Sequence, residues 1–170
     1  HNSYKQQLPD AWYQRVEALG VPTAALHYQH PPLTTQLNMG LRLLELDILA
    51  DPKGGLYQPA QDVLALTSLH ALATPGFKVL HLPGVDMASH CPLLADCLSE
   101  LASWSRQHPA HAPVLVLINI RERAVQPTGR TLATQALSES TRDVVDGAVP
   151  AFVPPVRWQA ADFAALDAQL

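Results

Sequence analysis

Apolar residues run almost unbroken through Leu41-Arg-Leu-Leu-Glu-Leu-Asp-Ile-Leu49, the pattern of a strand buried on both faces. Two further runs predict strands. Lys78-Val-Leu-His-Leu82 ends in Pro83-Gly84, and Val114-Leu-Val-Leu-Ile-Asn-Ile120 has Asn119 as its one polar residue. Between them the spacing turns helical. Residues 10–19 predict a short helix starting at Asp10 and stopping at Gly20, and residues 33–40 another that ends on Gly40. Residues 93–106 carry Leu94, Cys97, Leu98, Leu101 and Trp104 on one stripe, and Pro109 and Pro113 follow where a helix cannot continue. A weak helix over 131–138, a Pro-rich connection over 149–155 and a helix-like tail over 160–170 complete the pattern.

Strands that alternate with helices predict an α/β domain with a parallel sheet and right-handed crossovers. In each strand the polar residue lies toward the carboxyl end: Glu45 and Asp47, His81, Asn119. Chemistry collects at that edge of parallel sheets. Glu45 and Asp47 are two apart and so share a face, about 6.6 Å apart along the backbone at ~3.3 Å rise per residue. Burying two carboxylates together without a counter-charge is costly. A divalent metal or a basic side chain must sit with them, and Arg42, three residues from Glu45, faces the other way.

Composition narrows the function classes. The chain has 170 residues, enough for one domain with a real core. Its net charge of -4 and scattered basic residues argue against a nucleic-acid partner. No apolar run approaches the roughly 20 residues a membrane span needs. The first residue is His1 rather than Met, which is expected of a processed product or an excised piece whose signal peptide has gone. Cys91 and Cys97 have two readings. They are either a disulfide, if Cys91 lies in a loop and Cys97 in the first turns of the helix, or two small buried hydrophobes. The disulfide implies an oxidising, secreted or periplasmic location.

With these residues in place, the chain resembles the X-region of the phosphoinositide-specific phospholipases C, in particular their bacterial, calcium-dependent branch. The matching residues are His1-Asn2-Ser3-Tyr4, then Tyr28-x-His30-Pro31-x-Leu33-Thr34-x-Gln36-Leu37, and Gly40-x-Arg42-x-Leu44-Glu45-Leu46-Asp47. Val79-Leu-His81, Asp86…Cys91…Cys97-Leu98 and His108-Pro109-x-His111-x-Pro113 follow. The resemblance covers residues 1–123 and thins over 124–170. It implies a TIM-type (β/α) barrel of the phospholipase C-like phosphodiesterases. Only part of the barrel is expected here, because strands before His1 and after 123 are missing, so a further segment would complete it. A free ammonium on His1 beside a metal would repel the ion, which points the same way.

The resemblance further implies a phosphoric diester hydrolase that acts on an inositol phospholipid at a membrane surface. His1 and His81 would be the catalytic histidines, with Glu45 or Asp47 as proton acceptor. Asn2, Glu45, Asp47 and the residue aligned at 119 would hold calcium, ahead of magnesium. That last position is a Glu in the family and Asn119 here, so a weaker metal site is expected, with water or substrate phosphate completing the shell. Glu122 faces the other way along the strand. The alternatives are a glycerophosphodiesterase or sphingomyelinase-D-like enzyme, and an inactive barrel relic that serves as a binding module.

Overall fold

The computed structural model describes residues 2–18, 20–58, 69–122 and 155–170. Three strands form one sheet: β1 (Leu43–Asp51), β2 (Gly76–Val79) and β3 (Leu115–Ile120), in the order β2-β1-β3. The helices are α1 (Asp10–Ala18), α2 (Leu33–Asn38), α3 (Leu69–Ala73), α4 (Leu94–Gln107) and α5 (Ala160–Gln169), with a 3-10 turn at Ala24–Leu26. The helix expected over 131–138 lies outside the described residues.

α2 stops where the sequence predicts. Gly40 adopts φ +96, its N–H donates to the Leu37 carbonyl, and the Leu41 N–H reaches back to Gln36. That double bond is a Schellman C-cap, and it hands the chain straight to β1. The even-numbered side chains of β1, Leu44 through Ala50, are buried against Leu33 and Leu37 of α2 and Leu94, Cys97 and Trp104 of α4. α5 closes the same layer through Leu166, next to Trp158, whose ring stacks on Phe77 at 5.0 Å. Trp12, Trp104 and Trp158 are all core residues. Cys91 and Cys97 form a disulfide from the loop to the first turns of α4, with Cα atoms 5.2 Å apart.

The parallel sheet expected from the alternation is only half right. β1 and β3 are parallel, in register from Leu43↔Leu115 to Ile48↔Ile120, but β2 runs antiparallel, from Ile48↔Val79 to Asp51↔Gly76. The reason lies in the connection. After Asp51 the chain turns through Gly54 and Gly55, and the Gly55 N–H donates to the Leu72 carbonyl. Residues 72–76 therefore re-enter the sheet at the end that β1 left. A strand that starts beside the end of its neighbour must run back along it.

Gly54 makes this close return possible. At φ +75 a Cβ there would lie 2.1 Å from the Ala73 carbonyl oxygen. Gly40 has a similar backbone, but a Cβ there would meet nothing within 4 Å. Gly40→Ala is thus expected to cost about 1 kcal/mol, from strain alone, and Gly54→Ala roughly 3 kcal/mol or more, because backbone must move. Urea denaturation of both variants checks this, and equal costs would remove the close approach as the cause.

Candidate active site

The amino-terminal segment lies against the middle of β1. The Ser3 N–H donates to the Glu45 carbonyl (3.0 Å), and the Ser3 hydroxyl accepts from the Glu45 N–H (3.0 Å). Gln36 holds the same segment from the other side, donating through Nε2 to the Ser3 carbonyl at 2.6 Å. Further along, Lys5 bridges to Ser89 and His90 donates to the Tyr4 carbonyl. This docking sets Asn2 beside Glu45. Asn2 is buried and sits at φ 51, a left-handed conformation that Asn tolerates better than most residues. Its Nδ2 donates to the Tyr28 hydroxyl at 2.7 Å.

Asp47 is buried on the same strand face as Glu45. β3 runs parallel in register, so Asn119 lies directly opposite, and Arg121 follows two residues later on the same face. Both side chains reach the carboxylate. Asn119 Nδ2 donates to Oδ1 at 2.7 Å, and Arg121 Nη1 to Oδ2 at 3.0 Å. The basic partner of Asp47 is therefore Arg121, not Arg42. The Arg42 guanidinium donates to the Leu37 and Leu41 carbonyls and lies over the Trp104 ring. The Tyr4 hydroxyl is buried beside Asp47. Burial first, then the charge of Asp47, raises its pKa well above the usual value.

His81 enters from β2. Because β2 is antiparallel, the chain leaves it travelling back along β1 toward Asp47 and Glu45. A tight reversal follows, in which Leu82 and Asp86 exchange backbone hydrogen bonds. It returns Asp86 to His81, whose Nδ1 lies 2.8 Å from Asp86 Oδ2. The same carboxylate meets Lys5 Nζ at 3.2 Å and accepts from the Tyr13 hydroxyl at 3.3 Å. Lys5 has no exposure, and its ammonium also donates to the Leu26 and Tyr28 carbonyls. Burial lowers its pKa, and Asp86 acts against that shift. With Nδ1 facing a carboxylate, the other ring nitrogen of His81 is the one left to meet a substrate.

Tyr28 joins the two halves of the site. Its ring lies 6.3 Å from that of His81 and 4.4 Å from Lys5 Nζ, while its hydroxyl takes the Asn2 hydrogen bond. Burial, and then the charges of Asp86, Asp47 and Glu45, raise its pKa, with the Asn2 bond opposing. All three carboxylates thus act on one hydroxyl.

Five of the expected residues, Asn2, Glu45, Asp47, His81 and Asn119, belong to this cluster; His1 lies outside the described residues. The pattern did not point to Tyr4, Lys5, Tyr28, Asp86 or Arg121. Signals existed for Arg121, two residues beyond Asn119 and so on its face, and for Tyr4, Tyr28 and Asp86, which lie in the motifs that carry the family resemblance. His108 and His111 pack the end of α4, where His108 stacks on Trp104 at 4.4 Å and His111 bonds Ser105.

As a metal site the donor chemistry is that of a hard cation. Two carboxylates and two amide oxygens are the ligand types calcium takes. Among the described residues no group of three His, Cys, Asp or Glu side chains forms a metal cluster, so the amides of Asn2 and Asn119 are needed. The Tyr4 hydroxyl adds a buried oxygen beside Asp47. The set fits calcium, but Asp47 already carries the guanidinium of Arg121.

Asp86 serves three donors without access to water, so Asp86→Asn is expected to destabilise the fold by roughly 3–5 kcal/mol, the cost of stranding a buried cation. His81→Ala, with a side chain 17% exposed, is expected to cost less than about 1.5 kcal/mol. Chemical denaturation gives both numbers. A cost below about 1 kcal/mol for Asp86→Asn would mean that Lys5 does not depend on it.

No curated protein and no solved structure matches the chain. One family does, over residues 1–169, and its description is phosphoinositide phospholipase C, Ca2+-dependent. The match runs through the amino-terminal segment, β1, the His81 reversal and β3, the same stretches that build the cluster. The chain belongs to the Ca2+-dependent phosphoinositide phospholipase C family.

Proposed function

We propose that this protein cleaves an inositol phospholipid by attack of the substrate's own neighbouring hydroxyl on phosphorus. The observation that carries the reading is the pairing of a buried Asp86 with Nδ1 of His81, beside the Asp47–Asn119 contact. It joins an oriented imidazole to a carboxylate and amide site, as cleavage with a poor leaving group requires.

Glu45 accepts the proton of the attacking hydroxyl as its oxygen bonds to phosphorus. The bond from phosphorus to the glycerol oxygen breaks, and His81 protonates that oxygen through Nε2. Asp86 holds the ring by Nδ1, which leaves Nε2 to hand a proton to the leaving oxygen. His1 is assigned the role of hydrogen-bonding the phosphoryl oxygens, where charge develops. Asn2, Glu45, Asp47 and Asn119 are assigned as the ligands of calcium, ahead of magnesium. When bound, the ion offsets phosphoryl charge and acidifies the attacking hydroxyl. The products are a cyclic inositol phosphate and a diacylglycerol.

The (β/α) barrel is likewise proposed, across both 1–123 and 124–170. The parallel β1–β3 pair supports it, as do Leu43, Leu115 and Leu117, leucines more than half exposed on the site-bearing face, where further strands would cover them. The disulfide supports a secreted or periplasmic location. No helix among the described residues is long and apolar enough to cross a membrane, so access to lipid is assigned to the membrane surface.

Incubation with phosphatidylinositol vesicles, followed by phosphorus NMR, is expected to give cyclic inositol phosphate. Glycerol phosphate or choline as product would move the protein to the glycerophosphodiesterase or sphingomyelinase-D class, and no turnover of any diester would leave a binding module. His81→Ala is expected to lose roughly 10²–10⁴-fold on the natural diester and far less on an aryl phosphodiester, whose leaving group needs no proton. Equal losses on both would remove His81 from the acid role.

A further inference from the structure

The geometry points to Arg121 as a resident counter-cation of the calcium site, one that calcium must displace from Asp47 before it binds. This rests on the ligand assignment made above for Asn2, Glu45, Asp47 and Asn119.

Four observations carry it. Asp47 is 1% exposed, so its charge has to be met by a cation within the protein. The cation is Arg121, at 3.0 Å from Oδ2. Asn119 takes Oδ1 through its nitrogen and so turns its amide toward the anion as a donor. With both oxygens capped in this way, Asp47 has lone pairs left but not the open, oxygen-lined side that a calcium shell of six to eight ligands needs. Finally, the Tyr4 hydroxyl lies buried against the same carboxylate, an oxygen that a cation at Asp47 could also meet.

The arrangement can switch. Arg121 is the first residue beyond β3, its backbone N–H still bound to the Ile48 carbonyl, so the side chain can leave while the strand stays paired. The exit is an open cleft of about 620 Å³, lined by Ile120, Arg121, Glu122 and Phe163. With the guanidinium moved there and the Asn119 amide rotated, oxygens rather than N–H groups face the site. A calcium ion and the guanidinium repel each other across Asp47, so each weakens the other's hold on that carboxylate. Affinity for calcium is lowered by the free energy of breaking the ion pair, a coupling that is reciprocal by linkage. The replacement of an acidic ligand by Asn119 then belongs with Arg121: together they leave Asp47 compensated without metal.

Calcium titration by calorimetry on the full chain tests this without turnover. The unaltered protein is expected to bind calcium weakly, in the millimolar range. Arg121→Gln, which keeps a donor but removes the charge, is expected to bind at least tenfold tighter. Arg121→Lys, which keeps the charge, should stay within about threefold of the unaltered protein. Unchanged or weaker binding by Arg121→Gln would overturn the inference, and so would no saturable heat at all, since the site should then be open. Should Arg121→Gln not fold, Arg121→Met carries the same expectation. Failure of both to fold would mean an ion pair that calcium cannot break, and the inference would fall. A chain that shows the expected affinities but cleaves no phosphodiester would sink the catalytic reading and leave this one standing.

Discussion

Three aspartates of this protein, Asp47, Asp51 and Asp86, are at most 2% exposed, and each has a cation held against it from another part of the chain. Arg121 meets Asp47, Lys78 meets Asp51 at 3.2 Å, and Lys5 meets Asp86 at 3.2 Å. In a chain with only 15% charged residues, that is where much of the electrostatic specificity lies. A buried carboxylate is tolerated only with a partner, so each pair ties two segments in one arrangement. Lys78–Asp51 ties β2 to β1 where the chain re-enters the sheet. Lys5–Asp86 ties the amino-terminal segment to the His81 reversal. Arg121–Asp47 ties the end of β3 to β1. All three converge on the central strand or the segment docked along it.

The site inherits its order from these ties. His81 is aligned because Asp86 is, and Asp86 is held because Lys5 lies against it without water. Asn2 is in place because Ser3 and Gln36 hold the segment to β1. None of these interactions is itself chemistry on a substrate. They make the positions of the reacting groups depend on packed ion pairs rather than on loops.

Membership in a family described as Ca2+-dependent meets, in this chain, a site whose central carboxylate is already compensated. The two are reconciled if the protein carries its own counter-ion and gives it up to the metal. The positive charge at Asp47 then comes from within the chain or from outside it, and that carboxylate is never left bare.

Much of the fold was legible in local pattern. Two apolar runs became β1 and β3, while β2 (Gly76–Val79) took only Lys78 and Val79 of the third; the stripe through Leu94, Cys97, Leu98, Leu101 and Trp104 became the inner face of α4, and Gly40 became the residue on which α2 turns into β1. The even-odd alternation of a strand was enough to set Glu45 and Asp47 on one face. The direction of β2 was not legible. It depends on a through-space contact, the close return of residues 72–76 over Gly54, and no periodicity reports on that. Nor was the place of Lys5, whose ammonium meets Tyr28 and Asp86 across 23 or more residues. Sequence alone determined which residues could carry chemistry and which faces they would share, because side-chain period is local. Only the tertiary structure decided that Asp47 has a guanidinium for a partner, since the parallel register that brings Arg121 to it is set by long-range strand pairing.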